Sequence, residues 1–202
     1  MHSAVGKKAV LQPKYILGFV SFLMLGATLF DKLLPVFWLD TDSSLTLAKE
    51  GWRLFSAHFI HLNFYHALLN VSGLWLCFVL CPEIFNRFLL IKIFVLSLGI
   101  SLCLWWLSPE MMPYAGFSAV LYGLFVLGLL PKAYQQDKEA LFALSILMAW
   151  MLWQLLAGPF KAEEQLIGGE VASIAHLYGC ALALILLFFN WTKKKLWRIM
   201  RG

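Results

Sequence analysis

Two short clusters, far apart in the chain, contain side chains that could carry out nucleophilic chemistry. The first cluster contains Gly116 and Ser118, and the second contains His176 and Gly179. A serine hydroxyl is a weak nucleophile until a base accepts its proton, and histidine suits that task because its pKa lies near neutrality. Each cluster opens an apolar stretch of roughly membrane-spanning length, where polar side chains are costly and usually functional. The two clusters therefore predict a nucleophile, Ser118, and its general base, His176.

A second pair of polar residues could stabilise the oxyanion that develops when a serine attacks a carbonyl group. His66 and Asn70 are four residues apart, so they share one face of a helix and both can donate hydrogen bonds. Gly116 would let the chain turn tightly and expose the Ser118 backbone N–H as a further donor. His61 lies five residues before His66 and could reach the same site from the preceding loop. We therefore expect oxyanion binding by His66, Asn70 and the Ser118 N–H.

Small and aromatic residues near the two clusters would position the reacting groups. Gly179 lies three residues after His176 and shares roughly its helix face, and small residues let membrane helices approach closely. Tyr122 lies one turn after Ser118 and could stack on the imidazole. No carboxylate is placed to orient the base, because the acid nearest a span interior, Asp31, is best explained as an interfacial ion pair with the adjacent lysine. A catalytic dyad is therefore expected rather than a triad.

A metal or haem protein is the main alternative from a different class. His58, His61 and His66 could ligate zinc, or His66 and His176 could bracket a haem. The sequence contains no nearby carboxylate and no His-Glu-x-x-His signature that would strengthen this interpretation. The preferred interpretation therefore includes no metal and no cofactor.

The composition is that of a polytopic all-α membrane protein. Of the 202 residues, 61% are hydrophobic and 13% are charged, whereas soluble domains are about half apolar and about a quarter charged. The net charge of +5 is explained by cations at membrane edges, so no nucleic-acid partner is expected. The four cysteines fall in apolar stretches and are expected to be core residues.

Six apolar stretches have the length of a membrane span, or nearly so. The first is too long for the core of a signal peptide, so we expect it to be retained. The fourth is short, which suits a helix buried among its neighbours. The predicted spans are about 15–36, 62–82, 88–108, 116–131, 139–157 and 171–191.

The distribution of lysine and arginine predicts cytoplasmic termini. Spans two, four and six then run in the same direction from the outer face, which places the polar residues of both clusters within roughly 10–15 Å of the outer boundary. The cytoplasmic segments would hold Lys7, Lys8, Lys14, Arg87, Lys92, Lys132, Lys138, Lys193, Lys194, Lys195, Arg198 and Arg201, and the outer loops only Lys49, Arg53 and Lys161.

These residues, in this order, resemble the rhomboid intramembrane serine proteases. The resemblance covers nearly the whole chain and implies a single rhomboid-like domain over residues 1–202. It implies that Ser118 is the nucleophile, that His176 is its base, that His66 and Asn70 help to bind the oxyanion, and that Tyr122 packs near the dyad. The matching positions are Trp52-Arg53, His61, His66, Asn70, Gly116-Phe117-Ser118, Ala175-His176 and Gly179.

One departure from the family pattern points to a branch. Many rhomboids have glycine directly after the nucleophile, whereas this chain has Ala119. With the compact six-span core, this substitution resembles the rhombosortase branch, which implies a bacterial inner-membrane enzyme opening to the outer side. The implied partners are the lipid bilayer and C-terminal Gly-Gly tails of surface proteins, each with small residues, one apolar span and a basic end. A general rhomboid protease with other single-span substrates and a non-enzymatic rhomboid relative are the alternatives.

Overall fold

The computed structural model describes residues 13–31, 39 and 50–199. The basic N-terminal segment, the end of the first predicted span and residues 40–49 of the loop that follows it lie outside the described residues. Within the described residues the secondary structure is helical, apart from one isolated bridge between Leu39 and Tyr114. The predicted all-α class is therefore confirmed for this part of the chain.

A long helix lies over each predicted apolar stretch. We number these helices in chain order. They are α1 (Pro13–Asp31), α2 (Phe64–Leu80), α3 (Leu89–Leu107), α4 (Ser118–Tyr134), α5 (Lys138–Ala157) and α6 (Ser173–Ile199). Two shorter α-helices lie between them, a connecting helix (Arg53–Ser56) before α2 and a cap helix (Lys161–Ile167) between α5 and α6. The described residues also form short 3₁₀ helices at Ala57–Phe59, Pro82–Ile84 and Pro109–Met111.

Three of the described helices are long and apolar enough to cross a membrane. They are α3, α5 and the Ser173–Thr192 part of α6. A fourth candidate arises if the segment Arg53–Phe59 and helix α2 form one span, bent by 92°. The Pro13–Thr28 part of α1 and helix α4 are apolar but shorter. These helices make the chain a multi-pass membrane protein.

Helix α4 lies at the centre of the bundle, because small residues let α6 pack directly against it. A Cβ atom at Gly179 would overlap the backbone carbonyl oxygen of Ala119. A Cβ atom at Gly123 would lie 3.0 Å from the Gly179 carbonyl oxygen and 2.9 Å from Leu96 of α3. Side chains at these positions would force α4 and α6 apart, so the glycines fix the distance between the helices that begin near Ser118 and His176.

The segment Arg53–Phe59, which contains the connecting helix, is anchored to α3 by a buried polar cluster. His58 Nε2 lies 2.9 Å from the Ser97 carbonyl oxygen and 3.0 Å from Ser101 Oγ. Ser101 Oγ donates to the Leu54 carbonyl oxygen at 2.7 Å. Because buried polar groups need partners, these bonds hold the chain before α2 in one position.

Asn63 defines the start of α2 and connects it to the cap helix. Its Oδ1 accepts a hydrogen bond from the His66 backbone N–H at 2.8 Å, which is an N-cap. Its Nδ2 donates to the Leu166 carbonyl oxygen at 3.0 Å. The N-terminal end of α2 and the cap helix therefore lie together at one end of the bundle.

Candidate active site

The structure brings Ser118 and His176 into direct contact, although 58 positions separate them in the chain. His176 Nε2 lies 2.8 Å from Ser118 Oγ, which is hydrogen-bond distance for a neutral pair. Ser118 is the first residue of α4 and His176 lies in the first turn of α6. Gly179, one turn after His176, packs against Ala119, the residue after Ser118, and this close approach keeps the two helix ends within this distance.

Aromatic stacking fixes the plane of the imidazole. The Tyr122 and His176 rings are stacked, with centroids 4.3 Å apart and an interplanar angle of 9°. Further along α6, Tyr178 shares a 2.7 Å hydrogen bond with Ser108, which follows α3. His176 is only 5% exposed, so its orientation is determined by neighbouring side chains and not by water.

The turn before Ser118 requires glycine. Gly116 has φ of +130°, which disfavours residues with a Cβ atom. A Cβ atom there would also lie 3.1 Å from His66 Nε2. The Gly116 N–H donates to the Ala57 carbonyl oxygen at 3.0 Å, and Tyr114 Oη donates to the Gly116 carbonyl oxygen at 2.9 Å. Helix α4 begins directly after this turn.

The start of α4 leaves backbone donors available at the site. The first N–H groups of a helix have no partner within that helix. Among the described residues, no hydrogen bond from the Ser118 N–H is found. This N–H is therefore available to an acceptor bound beside Ser118.

His66 and Asn70 face the same cavity as Ser118 and His176. The Leu62 N–H donates to His66 Nδ1 at 3.4 Å, which leaves the ring proton on Nε2, the nitrogen nearer Gly116. Asn70 Nδ2 donates to the His66 carbonyl oxygen at 3.0 Å and retains a second N–H. Both side chains can therefore donate a hydrogen bond into the cavity.

The cavity has a volume of about 610 Å³ and lies between α2, the turn before α4, the cap helix and α6. Apolar side chains of α2 and α5 form part of its wall, including Leu69 and Leu147. Its polar lining comprises His66, Asn70, Glu110, Ser118, Tyr122, Glu163, Glu170 and His176. A chamber of this kind has room for a short extended peptide segment beside Ser118.

The family model for the rhomboid domain matches residues 48–193, which include every residue of this cavity. The chain belongs to the rhomboid family. Rhomboids are intramembrane serine proteases that act on transmembrane segments of their substrates, so the domain implies a hydrolase of this type in the membrane. A search of curated proteins found no match to the chain.

Two residues that connect to the base of this rhomboid, Gln154 and Glu163, are not predicted from the sequence. Gln154 Oε1 lies 3.2 Å from His176 Nδ1. Gln154 Nε2 donates to both carboxylate oxygens of Glu163, at 3.2 and 3.1 Å. Desolvation by partial burial raises the pKa of Glu163 above its ordinary value, although the Gln154 hydrogen bonds act in the opposite direction. The expectation that no carboxylate lies near the base is therefore corrected, because Glu163 hydrogen-bonds to Gln154, and Gln154 contacts His176.

A signal for one of these residues is present in the sequence. Gln154 interrupts the apolar stretch of α5, and an isolated amide at such depth indicates a specific partner. Glu163 carries no comparable signal, because it lies in a polar segment among other acids.

His61 lies behind the rhomboid site rather than in it. Its ring packs edge-on against His66, with centroids 4.9 Å apart, and it is not among the residues that line the cavity. The described residues contain no group of three or more histidines, cysteines, aspartates or glutamates that could hold a metal ion. The two ring nitrogens of His176 face Ser118 and Gln154, so the geometry does not favour ligation of zinc or haem.

Proposed function

We propose that this rhomboid is a serine endopeptidase in which Ser118 is the nucleophile and His176 is the general base. The observation that supports this proposal is the 2.8 Å contact between Ser118 Oγ and His176 Nε2 at the wall of a peptide-sized cavity. The stacked ring of Tyr122 supports it further, because it holds the imidazole in the plane that this contact needs.

Peptide cleavage would begin with acylation of the serine. Ser118 Oγ attacks the scissile carbonyl carbon while His176 Nε2 takes the hydroxyl proton. His66, Asn70 and the Ser118 N–H donate to the oxyanion, which stabilises the tetrahedral intermediate. The imidazolium then protonates the leaving amine, the C–N bond breaks, and an acyl-enzyme ester remains on Ser118.

Deacylation would reverse the roles of the same groups. A water molecule attacks the ester carbonyl while His176 takes its proton. The Ser118–carbonyl bond then breaks, and the proton returns to Ser118 Oγ. If an amine of a second molecule replaced water, the same steps would join the new carboxyl end to that amine, as in a sortase-type transfer.

The proposed topology has six spans with both termini in the cytoplasm. The bias of lysine and arginine supports this orientation. The site at the start of α4 and α6 would then open toward the outer side of a bacterial inner membrane. Water would reach Ser118 from that side.

The proposed substrate is the transmembrane tail of a surface or secreted protein. The apolar wall that Leu69 and Leu147 contribute supports docking of the tail between α2 and α5. Small residues in the tail would let its helix unwind at the outer end and reach Ser118. Ala119, which is fully buried against α6, supports assignment to the rhombosortase branch, whose tails begin with Gly-Gly and end with basic residues.

A cleavage assay in liposomes tests the proposal. The substrates are a single-span tail that begins with Gly-Gly and a matched tail in which both glycines are replaced by leucine. We expect the wild-type protein to cleave the Gly-Gly tail, with the cut site found by mass spectrometry near the glycines, and we expect the Ser118→Ala variant to be inactive. Equal cleavage of both tails would support a general rhomboid protease instead, and cleavage by the variant would exclude the proposed nucleophile.

An added amine distinguishes hydrolysis from transfer. Cleavage is repeated in the presence of a glycine-based amine, and the mass of the released protein is measured. A product whose mass includes the amine would demonstrate transfer, and a product with a free carboxylate alone would demonstrate hydrolysis.

A further inference from the structure

A buried glutamine connects the general base to a carboxylate at the cap helix. Gln154 is 3% exposed, although it lies on a helix whose other side chains are mostly accessible. Its amide oxygen lies 3.2 Å from His176 Nδ1, and its amide nitrogen donates to Glu163. We infer that Gln154 and Glu163 are positioning residues that select the tautomer of His176 needed for catalysis, an inference that rests on the proposed function.

Glu163 determines which end of the Gln154 amide faces the base. An ionised carboxylate only accepts hydrogen bonds, so it must face the NH₂ group of the amide. The amide oxygen of Gln154 is then directed toward His176, as the structure shows. The opposite amide orientation would place that oxygen against the carboxylate and leave two acceptors in contact.

The amide orientation in turn determines the imidazole tautomer. Because Gln154 Oε1 can only accept, His176 Nδ1 must carry the proton and donate to it. His176 Nε2 then carries the lone pair and faces Ser118 Oγ. This is the tautomer that can take the serine proton. The other tautomer would point an N–H at Ser118 and could not act as its base.

The relay, by which we mean the hydrogen bonds from His176 through Gln154 to Glu163, also favours the imidazolium that forms during catalysis. When His176 has accepted the serine proton, its Nδ1–H still donates to Gln154, and the carboxylate of Glu163 lies at the far end of the same amide. A negative charge at this position stabilises a positive charge on the ring. The carboxylate acts through the amide and does not contact the reacting atoms.

Other titratable groups also face the base, and the test must separate them from Glu163. The ring faces groups on α2 and α4, a thiol one turn further along α6, and acids along the cavity. These groups are His66, Tyr122, Cys180, Glu110 and Glu170. Among the described residues, none of them hydrogen-bonds to Gln154 or to His176 Nδ1, so changes at Glu163 isolate the hydrogen bonds that connect Glu163 to the base.

The test measures kcat, KM and the pH profile of tail cleavage for variants of the full chain in liposomes. Gln154→Leu removes the hydrogen bonds to His176 and to Glu163. We expect kcat to fall roughly 10- to 100-fold with KM little changed, which is less than the roughly 10,000-fold loss when a serine-protease base is held in the wrong tautomer. Glu163→Gln leaves the amide orientation undetermined, and we expect a loss of about tenfold in kcat. Glu139→Gln at the start of α5 is the control, because this carboxylate is exposed and does not line the cavity.

The acidic limb of the pH profile distinguishes positioning from packing. A nearby negative charge favours the protonated imidazole, so removing that charge favours the neutral imidazole that the enzyme needs as its base. The Glu163→Gln variant should therefore keep its remaining activity to lower pH than the wild type does. A merely structural role for Glu163 would reduce the amount of folded protein and leave the limb where it is.

A charge exchange provides the rescue experiment. In the double variant Gln154→Glu/Glu163→Gln, a carboxylate accepts directly from His176 Nδ1–H and an amide donates to that carboxylate. We expect this variant to recover most of the activity that Glu163→Gln loses and to shift the acidic limb to higher pH. If the double variant is no more active than the Glu163→Gln variant, or if Gln154→Leu and Glu163→Gln both match the wild type, the relay is overturned.

Phosphonate labelling separates this outcome from failure of the proposed function. A wild-type protein that is labelled at Ser118, together with unaffected relay variants, would leave the protease in place and remove the relay. A wild-type protein that is not labelled would overturn both. If the Gln154→Leu variant does not fold, the Glu163→Gln variant and the double variant decide the result.

Discussion

The α4–α6 pair and helix α5 both contribute to the candidate site, but they are packed very differently. The backbones of α4 and α6 are in contact at Ala119 and Gly179, and most side chains of α4 are buried. In α5, only 11% of the membrane-spanning segment is buried, compared with 28% in α6. The fully buried residues of α5 are Ala140 and Gln154. Ser118 and His176 therefore lie on the tightly packed pair, and Gln154, which contacts His176 Nδ1, lies on the loosely packed helix α5.

This difference indicates that the α4–α6 pair and helix α5 contribute differently to the site. The contact between Ser118 and His176 is made by residues of α4 and α6, and the close approach of these helices at Gly179 supports it. The tautomer of His176, in contrast, depends on an amide that α5 presents from its single buried polar position.

The largest effect should follow from removing either member of the pair. Ser118→Ala and His176→Ala should each lower kcat/KM for tail cleavage by about 10,000-fold or more, because nucleophile and base act as one unit. Ser145→Ala, on the exposed side of α5, is the control and should remain active. Similar losses in the control and in the site variants would show that any serine substitution damages the protein.

The next largest effect should follow from adding a methyl group between the paired helices. Gly179→Ala would place a Cβ atom against the Ala119 carbonyl oxygen, so α6 must move. We expect a loss of about 3 kcal/mol or more in stability, the upper range for overpacking, and a large loss of activity. Thermal unfolding in detergent and the cleavage rate measure the two effects.

The control for this substitution lies in α1. A Cβ atom at Gly26 would have no neighbour within 4 Å, so Gly26→Ala should leave both stability and rate near the wild-type values. If Gly179→Ala is as well tolerated as Gly26→Ala, the α4–α6 contact does not set the geometry of the site.

An intermediate effect is expected from the oxyanion donors on α2. Asn70→Ala removes one side-chain donor from the cavity and should lower kcat by about 10- to 1,000-fold, the scale for a single donor. Asn86→Ala, in the exposed loop before α3, is the control. Unchanged kcat for Asn70→Ala would exclude this side chain from oxyanion binding.

The smallest effect is expected on the exposed side of α5. Phe142 is 70% exposed and lies far along the helix from Gln154. Phe142→Ala should change stability by less than about 0.5 kcal/mol, as for other accessible positions, and should leave the cleavage rate unchanged. A loss comparable to that of Gly179→Ala would show that α5 is as tightly constrained as the α4–α6 pair.

The sequence predicts the elements well and their partners only in part. The long helices lie where continuous apolar runs predict them, because the hydrophobic pattern determines these boundaries locally. The requirement for glycine at position 116 agrees with its positive φ. The contact between Ser118 and His176 is expected from the side-chain chemistry and from the matched depth of two parallel helices.

The sequence does not predict the relay, because its geometry depends on two features that no local pattern encodes. The rotation of α5 about its axis decides whether Gln154 faces the base or the lipid, and α5 has too little amphipathicity to determine this rotation. The fold of the segment after α5 decides which of several acids meets the amide. His61 illustrates the same point, because its spacing suggested the cavity and the packing places it behind His66.

Labelling with a serine-directed phosphonate tests the central claim most directly. The wild-type protein should form a covalent adduct that peptide mass spectrometry locates at Ser118, and adduct formation should be absent in Ser118→Ala and strongly slowed in His176→Ala. A wild-type protein that is folded, cleaves its substrate and carries no adduct, or a His176→Ala variant that is labelled at the wild-type rate, would contradict the account.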